Sequence, residues 1–251
     1  MRVRILASAP GDRPEQYLTT LVVENRVAID AGSLGLHSTF ADAGLGHIFI
    51  THSHVDHVGT LPLFLEAWRD HRNGPAHIYG SRATLTEVRE HLFNEGVWVD
   101  YSQLQAQAGW VELFPVEPEQ PVSVGNLRIR GVPVDHTVPT MGYIVEDGSS
   151  AFVFGADSGP TERLWMVARA TRNLRAAFLE CSFPNRLREL AAKTGHLTPE
   201  LWALELKKLP TDVSIFAVHL KPRFRDEVIA ELAALGDGRV QVAEMGREYV
   251  F

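Results

Sequence analysis

Hydrophobic and polar positions along the chain follow two periods, one typical of strands and one typical of helices. Short apolar or alternating runs predict strands at residues 2–8, 17–24, 27–32, 47–50, 76–80, 110–116, 122–134 with a turn at Gly125-Asn126, 143–145, 151–154, 174–179 and 213–218. Helical spacing predicts helices at 55–68, 81–92, 186–193 and 225–235, the last closing the chain, and another helix opens with Thr198 as N-cap and Pro199 as its first residue. Strands that alternate with helices predict an α/β protein built in layers.

The chain divides into two similar halves, each a set of strands that ends in helices. No repeat period, linker or low-complexity tract separates them. With 251 residues, of which 45% are hydrophobic and 22% charged, the chain is long enough to bury one substantial core. We therefore expect a single domain over residues 1–251, in which two mixed β-sheets lie between outer helices as a four-layer αββα sandwich.

The composition of the chain limits the kinds of binding partner and the cellular compartment that we expect. The net charge of −7 argues against extended nucleic acid as a partner, because phosphate backbones are bound by clustered Lys and Arg, whereas a small anionic substrate stays compatible. No apolar run of membrane-spanning length occurs, and polar residues follow the first strand too soon for a signal peptide. We expect a cytoplasmic protein without a membrane partner, with Cys181 as a small buried residue. Whether the chain forms a homodimer stays open.

The densest chemical signal is the segment His52-Ser53-His54-Val55-Asp56-His57, between the strand 47–50 and the helix 55–68. Imidazole nitrogens and carboxylate oxygens are ligands that zinc, manganese and iron accept. A tight loop between two rigid elements can direct several of them to one point. The alternative is a surface loop that happens to be rich in histidine, but the position between strand and helix favours a metal site.

This order of residues resembles the signature of the metallo-β-lactamase superfamily of binuclear hydrolases, and the resemblance implies that superfamily's αββα fold. It assigns His52, His54 and His136 to a first divalent ion, Asp56, His57 and His219 to a second, and Asp157 to a bridge between them. Zinc is the expected metal, with manganese or iron as alternatives. A water between two such ions is acidified to hydroxide, and Asp56 would orient it. Asp30 resembles the carboxylate that backs the metal loop in the superfamily, although it could equally be a turn residue.

Other segments resemble the class II cyclic-nucleotide phosphodiesterases of that superfamily. The matching segments are 91–101, His136-Thr137-Val138-Pro139-Thr140, Gly155-Ala156-Asp157-Ser158-Gly159-Pro160, Glu180-Cys181-Ser182-Phe183-Pro184-Asn185, Gly195-His196-Leu197-Thr198-Pro199 and His219-Leu220-Lys221-Pro222. Val99 departs from the family pattern, which often has proline there. The resemblance implies hydrolysis of a 3′,5′-cyclic nucleotide, cyclic AMP or cyclic GMP, to the 5′-nucleotide.

Phosphodiester cleavage also needs a proton for the departing alkoxide. His196 precedes a helix N-terminus near the expected site, and Glu180 could orient its ring. We therefore assign the protonation step to His196 with Glu180, in addition to the water-orienting role of Asp56. Lys221 and Asn94 are candidates for substrate binding. The alternatives are that His196 is an ordinary loop residue, that Lys221 is a solvated lysine, and that the segment around Asn94 is a helix end whose side chains only pack into the core.

Three other functions stay open. The same metals could cleave a thioester or lactone, which would need no acid at His196. The tRNA 3′-processing endonucleases of the superfamily share the aspartate ligand but carry a long basic arm, whereas only 20 residues separate His136 from Asp157 here. A binding or sensing protein could hold the metals without turnover, although the complete ligand set favours a hydrolase. The cysteine of true β-lactamases is missing at the position of Asp157.

Overall fold

The computed structural model describes residues 1–6, 18–37, 39–70, 74–100 and 110–251. The predicted ends of the first two strands, at 7–8 and 17, and Tyr101 at the end of the 91–101 segment lie outside this part of the chain. The strands are β1 (Arg2–Ile5), β2 (Leu21–Val23), β3 (Val27–Ile29), β4 (His47–Phe49), β5 (Ala76–Gly80), β6 (Val111–Pro115), β7 (Pro121–Val124), β8 (Leu127–Val134), β9 (Thr140–Glu146), β10 (Ala151–Phe154), β11 (Leu174–Glu180), β12 (Ser214–Val218), β13 (Val240–Val242) and β14 (Glu248–Val250).

The helices lie mostly between the parallel strands. They are α1 (Thr39–Asp42), α2 (Val55–Val58), α3 (Leu61–Asp70), α4 (Arg82–His91), α5 (Arg163–Ala170), α6 (Arg188–Lys193), α7 (Pro199–Leu206) and α8 (Arg225–Ala234), with single 3₁₀ turns at Leu34–Leu36, Asn185–Leu187 and Pro222–Phe224. No helix in the described ranges is both long enough and apolar enough to cross a membrane.

The strands form two seven-stranded sheets of matching design. The first sheet has the order β14-β1-β2-β3-β4-β5-β6, and the second has the order β13-β12-β11-β10-β9-β8-β7. In each sheet the strands from one edge to the middle pair in antiparallel fashion, and β3 to β6 and β10 to β13 pair in parallel. The prediction of two mixed sheets from two similar halves is confirmed.

Three apolar clusters fill the spaces between four layers. One lies between the sheets and includes Phe49, Tyr143 and Phe178. A second packs α5, α7 and α8 against the outer face of the second sheet around Trp165 and Trp202. The third packs α3 and α4 against the first sheet. This is the predicted four-layer αββα sandwich.

The structure departs from the predicted elements in two places that bear on function. The single helix expected at 55–68 is two helices. The first, α2, ends at Val58 with Gly59 as its C-cap, and the backbone N–H and hydroxyl of Thr60 both donate to the carbonyl of Ala31. The helix at 225–235 does not close the chain. The strands β13 and β14 follow it, and β14 pairs with β1 at the edge of the first sheet.

Candidate metal centre and active site

The loop after β4 carries the first four candidate ligands. His52 and His54 lie on the extended stretch, and His54 is the N-cap residue of α2 with φ −62° and ψ 145°. Asp56 and His57 follow in the single turn of α2. Because the break at Gly59 keeps α2 short, this turn is positioned by the loop around Ala31 rather than by the axis of α3.

Three histidine nitrogens meet at one point. His52 Nε2 lies 3.1 Å from His54 Nδ1, which lies 3.3 Å from His136 Nε2. The opposite ring nitrogens are held in place, since His52 Nδ1 lies 2.9 Å from the Thr51 hydroxyl and His136 Nδ1 donates to the Gly195 carbonyl at 2.9 Å. These outer bonds direct the remaining nitrogens of His52 and His136 toward the shared point.

A second group of four side chains lies beside the first. His219 Nε2 is 3.1 Å from Asp56 Oδ2 and 3.5 Å from Asp157 Oδ2, and His57 Nε2 is 3.5 Å from Asp157 Oδ1. Asp157 also comes within 4.8 Å of His136, so its carboxylate lies between the two groups. All seven predicted ligands are therefore brought together.

The ligand groups fit divalent cations. The fully buried His57 donates its Nδ1–H to Asp30, which leaves its Nε2 facing the second group without a hydrogen-bond partner among the described residues. A buried polar nitrogen without a hydrogen bond is costly unless something binds it. Three histidines around one point, and two histidines with two aspartates around the other, match zinc, manganese or iron, in line with the prediction.

The surroundings of the three histidines in the first group favour the neutral form of the ring, which is the form that binds a metal. Burial, assisted by the neighbouring histidines, lowers the pKa values of His52, His54 and His136, so these rings are neutral near pH 7. Burial would also lower the pKa of His57, but Asp157 and Asp30 raise it well above its usual value. The second group therefore attracts positive charge, which a proton or a metal ion can supply.

The backbone is strained where the ligands leave their strands. Asp30, Ala156 and His219 have positive φ values of 62°, 56° and 54°. Each lies just beyond the end of β3, β10 or β12, where the chain must reverse to bring a side chain over the end of the sheet. Left-handed non-glycine residues of this kind cluster at functional sites.

His196 lies at the edge of the two ligand groups, and its ring is held by contacts with Glu180 and Ser182. Its Nδ1 is 3.1 Å from Glu180 Oε1 and 3.3 Å from the Ser182 hydroxyl, and the same Glu180 oxygen accepts the backbone N–H of Leu197 at 2.8 Å. Burial lowers the pKa of His196, but the hydrogen bond and charge of Glu180 outweigh it and raise the pKa. The predicted pairing of His196 with Glu180 is present, and it leaves Nε2 available to a ligand.

An open cavity of about 350 Å³ lies over these groups. Its lining consists of His54, Val55, Asp56, His136, Thr137, Asp157, Thr194, His196 and Lys221. Lys221 stands over the ring of Phe183 at 5.3 Å, so its cationic end is anchored beside the cavity. The structure thus places this lysine at the site, as predicted for a substrate-binding residue.

Asn94 does not belong to this group. Its side-chain oxygen accepts the N–H groups of Gly96 and Val97, and its amide donates to the Glu90 carbonyl. These bonds shape the exposed turn after α4, and Asn94 is absent from the cavity lining. The structure therefore places Asn94 outside the cavity, with its polar atoms used within its own turn, and substrate binding by Asn94 stays a prediction.

Several supporting residues were missed in the sequence. Thr51, Ser182 and the carbonyl of Gly195 orient the rings of His52, His219 and His136, but small hydroxyl residues and backbone groups carry no chemical signature. Only their adjacency to a candidate ligand could have marked them. Gly195 has φ +63°, and a Cβ there would lie 2.9 Å from the Cα of His136, so glycine is required for this approach.

Comparison with known proteins agrees with the architecture. A family model described as a beta-lactamase superfamily domain matches residues 25–219, well over half of the chain. The chain belongs to the metallo-β-lactamase superfamily. The superfamily fold is therefore combined here with two groups of histidine and aspartate side chains that could hold metal ions.

Individual matches come from protein sequences and from solved structures. A ribonuclease Z of Methanococcus maripaludis is 31% identical over 101 residues, covering 40% of this chain and 31% of that protein, so the match spans about a third of that relative. A ribonuclease Z of Kineococcus radiotolerans is 24% identical over 253 residues, covering 84% and 76%. Among solved structures, unliganded yeast PDE1 superposes with a TM-score of 0.79 at 16% identity over 98% of both chains, which shows the shared fold.

Proposed function

We propose that this protein is a metal-dependent phosphodiesterase that hydrolyses 3′,5′-cyclic nucleotides to 5′-nucleotides. The observation that carries the proposal is the shared cavity, in which four metal-ligand side chains, His196 and Lys221 line one space of about 350 Å³. A phosphodiester needs a nucleophile, a countercharge and a proton for its leaving oxygen, and these residues correspond to the three needs.

The seven ligand side chains would hold two divalent ions, with Asp157 placed between the two groups. Such a pair, when bound, supplies a strong nucleophile near neutral pH and neutralises charge on the phosphate oxygens. The protein's own contribution at this step is orientation. Thr51, Asp30, Ser182 and the Gly195 carbonyl fix the outward-facing nitrogens of the ligand rings, so that the donors are already in place.

His196 would protonate the departing 3′-oxygen of the ribose. Glu180 engages its Nδ1 and stabilises the protonated ring, so the proton to be transferred sits on Nε2. Lys221 places a second positive charge on the same side of the cavity, where it can meet a non-bridging phosphate oxygen. The net charge of the chain is −7, so this positive charge is a local feature of the site.

Processing of a precursor tRNA is the second candidate, favoured by the ribonuclease Z relatives. Within this chain, however, His136 and Asp157 are joined by β9, a tight turn at Asp147 and β10, which leaves no inserted basic arm between them. An acidic surface without such an arm is poorly suited to the phosphate backbone of a folded RNA. A small phosphodiester therefore fits the site better.

Parallel assays of metal-loaded protein test the proposal. Cyclic AMP, cyclic GMP, a precursor tRNA, a thioester and a lactone would be compared by kcat/KM, with Asp157→Ala as the inactive control. We expect turnover of at least one cyclic nucleotide to the 5′-nucleotide and no useful cleavage of the tRNA. Efficient tRNA cleavage, or lactone or thioester turnover far above that of both cyclic nucleotides, would contradict the proposal.

A further inference from the structure

One apolar side chain stands among the polar groups of the cavity. Val55 lines the cavity between the ligands His54 and Asp56, and 73% of its surface is exposed. A lone exposed valine needs no explanation on an ordinary surface. Here, however, any phosphate that reaches the ligands on either side of Val55 brings the rest of the substrate close to this side chain.

The remaining lining is arranged unevenly around Val55. His196, Lys221 and Thr137 come from loops of the second sheet, so the proton donor, the ammonium group and an exposed hydroxyl lie on that side. Val55 comes from the first sheet and presents only methyl groups. A substrate with one charged end and one weakly polar, flat end therefore finds charged partners and one apolar contact in the same cavity.

We infer that Val55 is a specificity-determining residue, against which the nucleoside part of the substrate, and its base above all, packs while the phosphate lies at the ligands. This inference rests on the proposed function and names the part of the substrate that the metals do not recognise. A β-branched side chain suits such a contact, because its restricted χ1 makes the apolar surface rigid before binding.

Paired substrates that differ only in the base test the inference. Cyclic AMP and ribose 3′,5′-cyclic phosphate share the reacting ring, and the ratio of their kcat/KM values measures how much the base contributes. Val55→Ala should lower this ratio about tenfold, and Val55→Thr, which keeps the shape but replaces a methyl with a hydroxyl, should lower it about threefold. Val55→Ile should keep the ratio at or above that of the parent protein.

Val250→Ala is the matched control, because Val250 is a similarly exposed valine, at 69%, on the edge strand β14. It should leave the ratio unchanged. Ratios for Val55→Ala and Val55→Thr within twofold of the parent, at full metal content, would overturn the inference while leaving the proposed function intact. If the metal-loaded parent hydrolyses neither cyclic AMP nor cyclic GMP, the proposed function fails and the inference falls with it; if it hydrolyses only cyclic GMP, cyclic GMP replaces cyclic AMP in the ratio. Because Val55 is exposed, its variants should fold, and Val55→Thr decides the question if Val55→Ala binds metal poorly.

Discussion

His57 donates from Nδ1 to Asp30 across 2.7 Å, and both side chains are completely buried. The same carboxylate accepts the backbone N–H of Thr51 at 2.8 Å and its hydroxyl at 3.0 Å. One buried aspartate therefore fixes both the tautomer of a metal ligand and the end of the strand that delivers the metal loop. Asp30 supports the loop, as its resemblance implied.

Replacing Asp30 should weaken metal binding without touching a ligand. We expect Asp30→Ala to lower the affinity of the second group about 10-fold to 100-fold, since the ring of His57 would lose its orientation. Competition titration with a chelating dye would measure this. Asp30→Asn keeps an acceptor and tolerates the left-handed backbone, so it should lose less affinity than Asp30→Ala. Equal affinity in Asp30→Ala and the parent would show that His57 is oriented by something else.

Metal removal should abolish activity. Seven convergent ligands predict about two divalent ions per chain, measurable by elemental analysis, with activity lost on chelation and restored by zinc or manganese. Asp157→Ala should reduce metal content and activity more than His54→Ala, because it removes the carboxylate between the two groups. Carefully reconstituted, folded protein with only traces of transition metal would refute this prediction.

His196 can be tested through the leaving group. A ribose oxygen departs poorly without a proton, whereas a nitrophenolate departs readily. His196→Ala should therefore slow cyclic-nucleotide hydrolysis on the order of 10²-fold to 10⁴-fold and largely spare a nitrophenyl phosphodiester. His91→Ala, on the exposed face of α4, is the control. An equal slowing of both substrates at full metal content would make His196 a positioning residue.

Asp147 gives a prediction about pH and stability. Partial burial favours its neutral form, but hydrogen bonds from Ser150 and Ser149 outweigh this and lower the pKa of Asp147 to about 2. Because the folded-state pKa lies below the unfolded value, the stabilisation is present above about pH 4 and is lost as the pH falls toward about 2. After allowance for solvent screening, Asp147→Asn should lower the free energy of unfolding by about 1 kcal/mol at pH 7.

Urea unfolding at pH 7, 5, 4 and 3 would follow this difference. The gap between the parent and Asp147→Asn should stay constant from pH 7 to 5 and shrink below pH 4. Asp212→Asn, at an exposed turn position, controls for the loss of one negative charge. A gap that persists unchanged at pH 3 would mean that the carboxylate charge is not what stabilises the turn.

The sequence predicted the ligands well because the chemistry requires particular residue types at particular strand ends. His136, Asp157 and His219 follow predicted strands, and all three reach the site. The break in the helix at 55–68 was missed because the apolar spacing continues through Gly59. What ends α2 is the pair of hydrogen bonds from Thr60 to Ala31, 29 residues earlier in the chain. The local bonds of Asn94 were not foreseen, because its partners are backbone groups of its own turn.

The last two strands, β13 and β14, were not predicted from the sequence for a different reason. β13 and β14 are three residues long, and their burial is mixed, so their periodicity is too short to identify. Their pairing with β12 and β1 comes from the tertiary fold. The subfamily could not be settled in this way either, since segments such as 91–101 match by resemblance and not by a chemical requirement.

The ligands come from both sheets: His52, His54, Asp56 and His57 from the loop after β4, and His136, Asp157 and His219 from loops of the second sheet. A bound pair of cations therefore acts as a removable cross-link between the two halves of the sandwich. Pulling the sheets apart at this edge would require breaking coordination bonds as well as separating apolar surface. The thermal midpoint should rise with free metal concentration, and hydrogen exchange in β4 and β12 should quicken together on chelation.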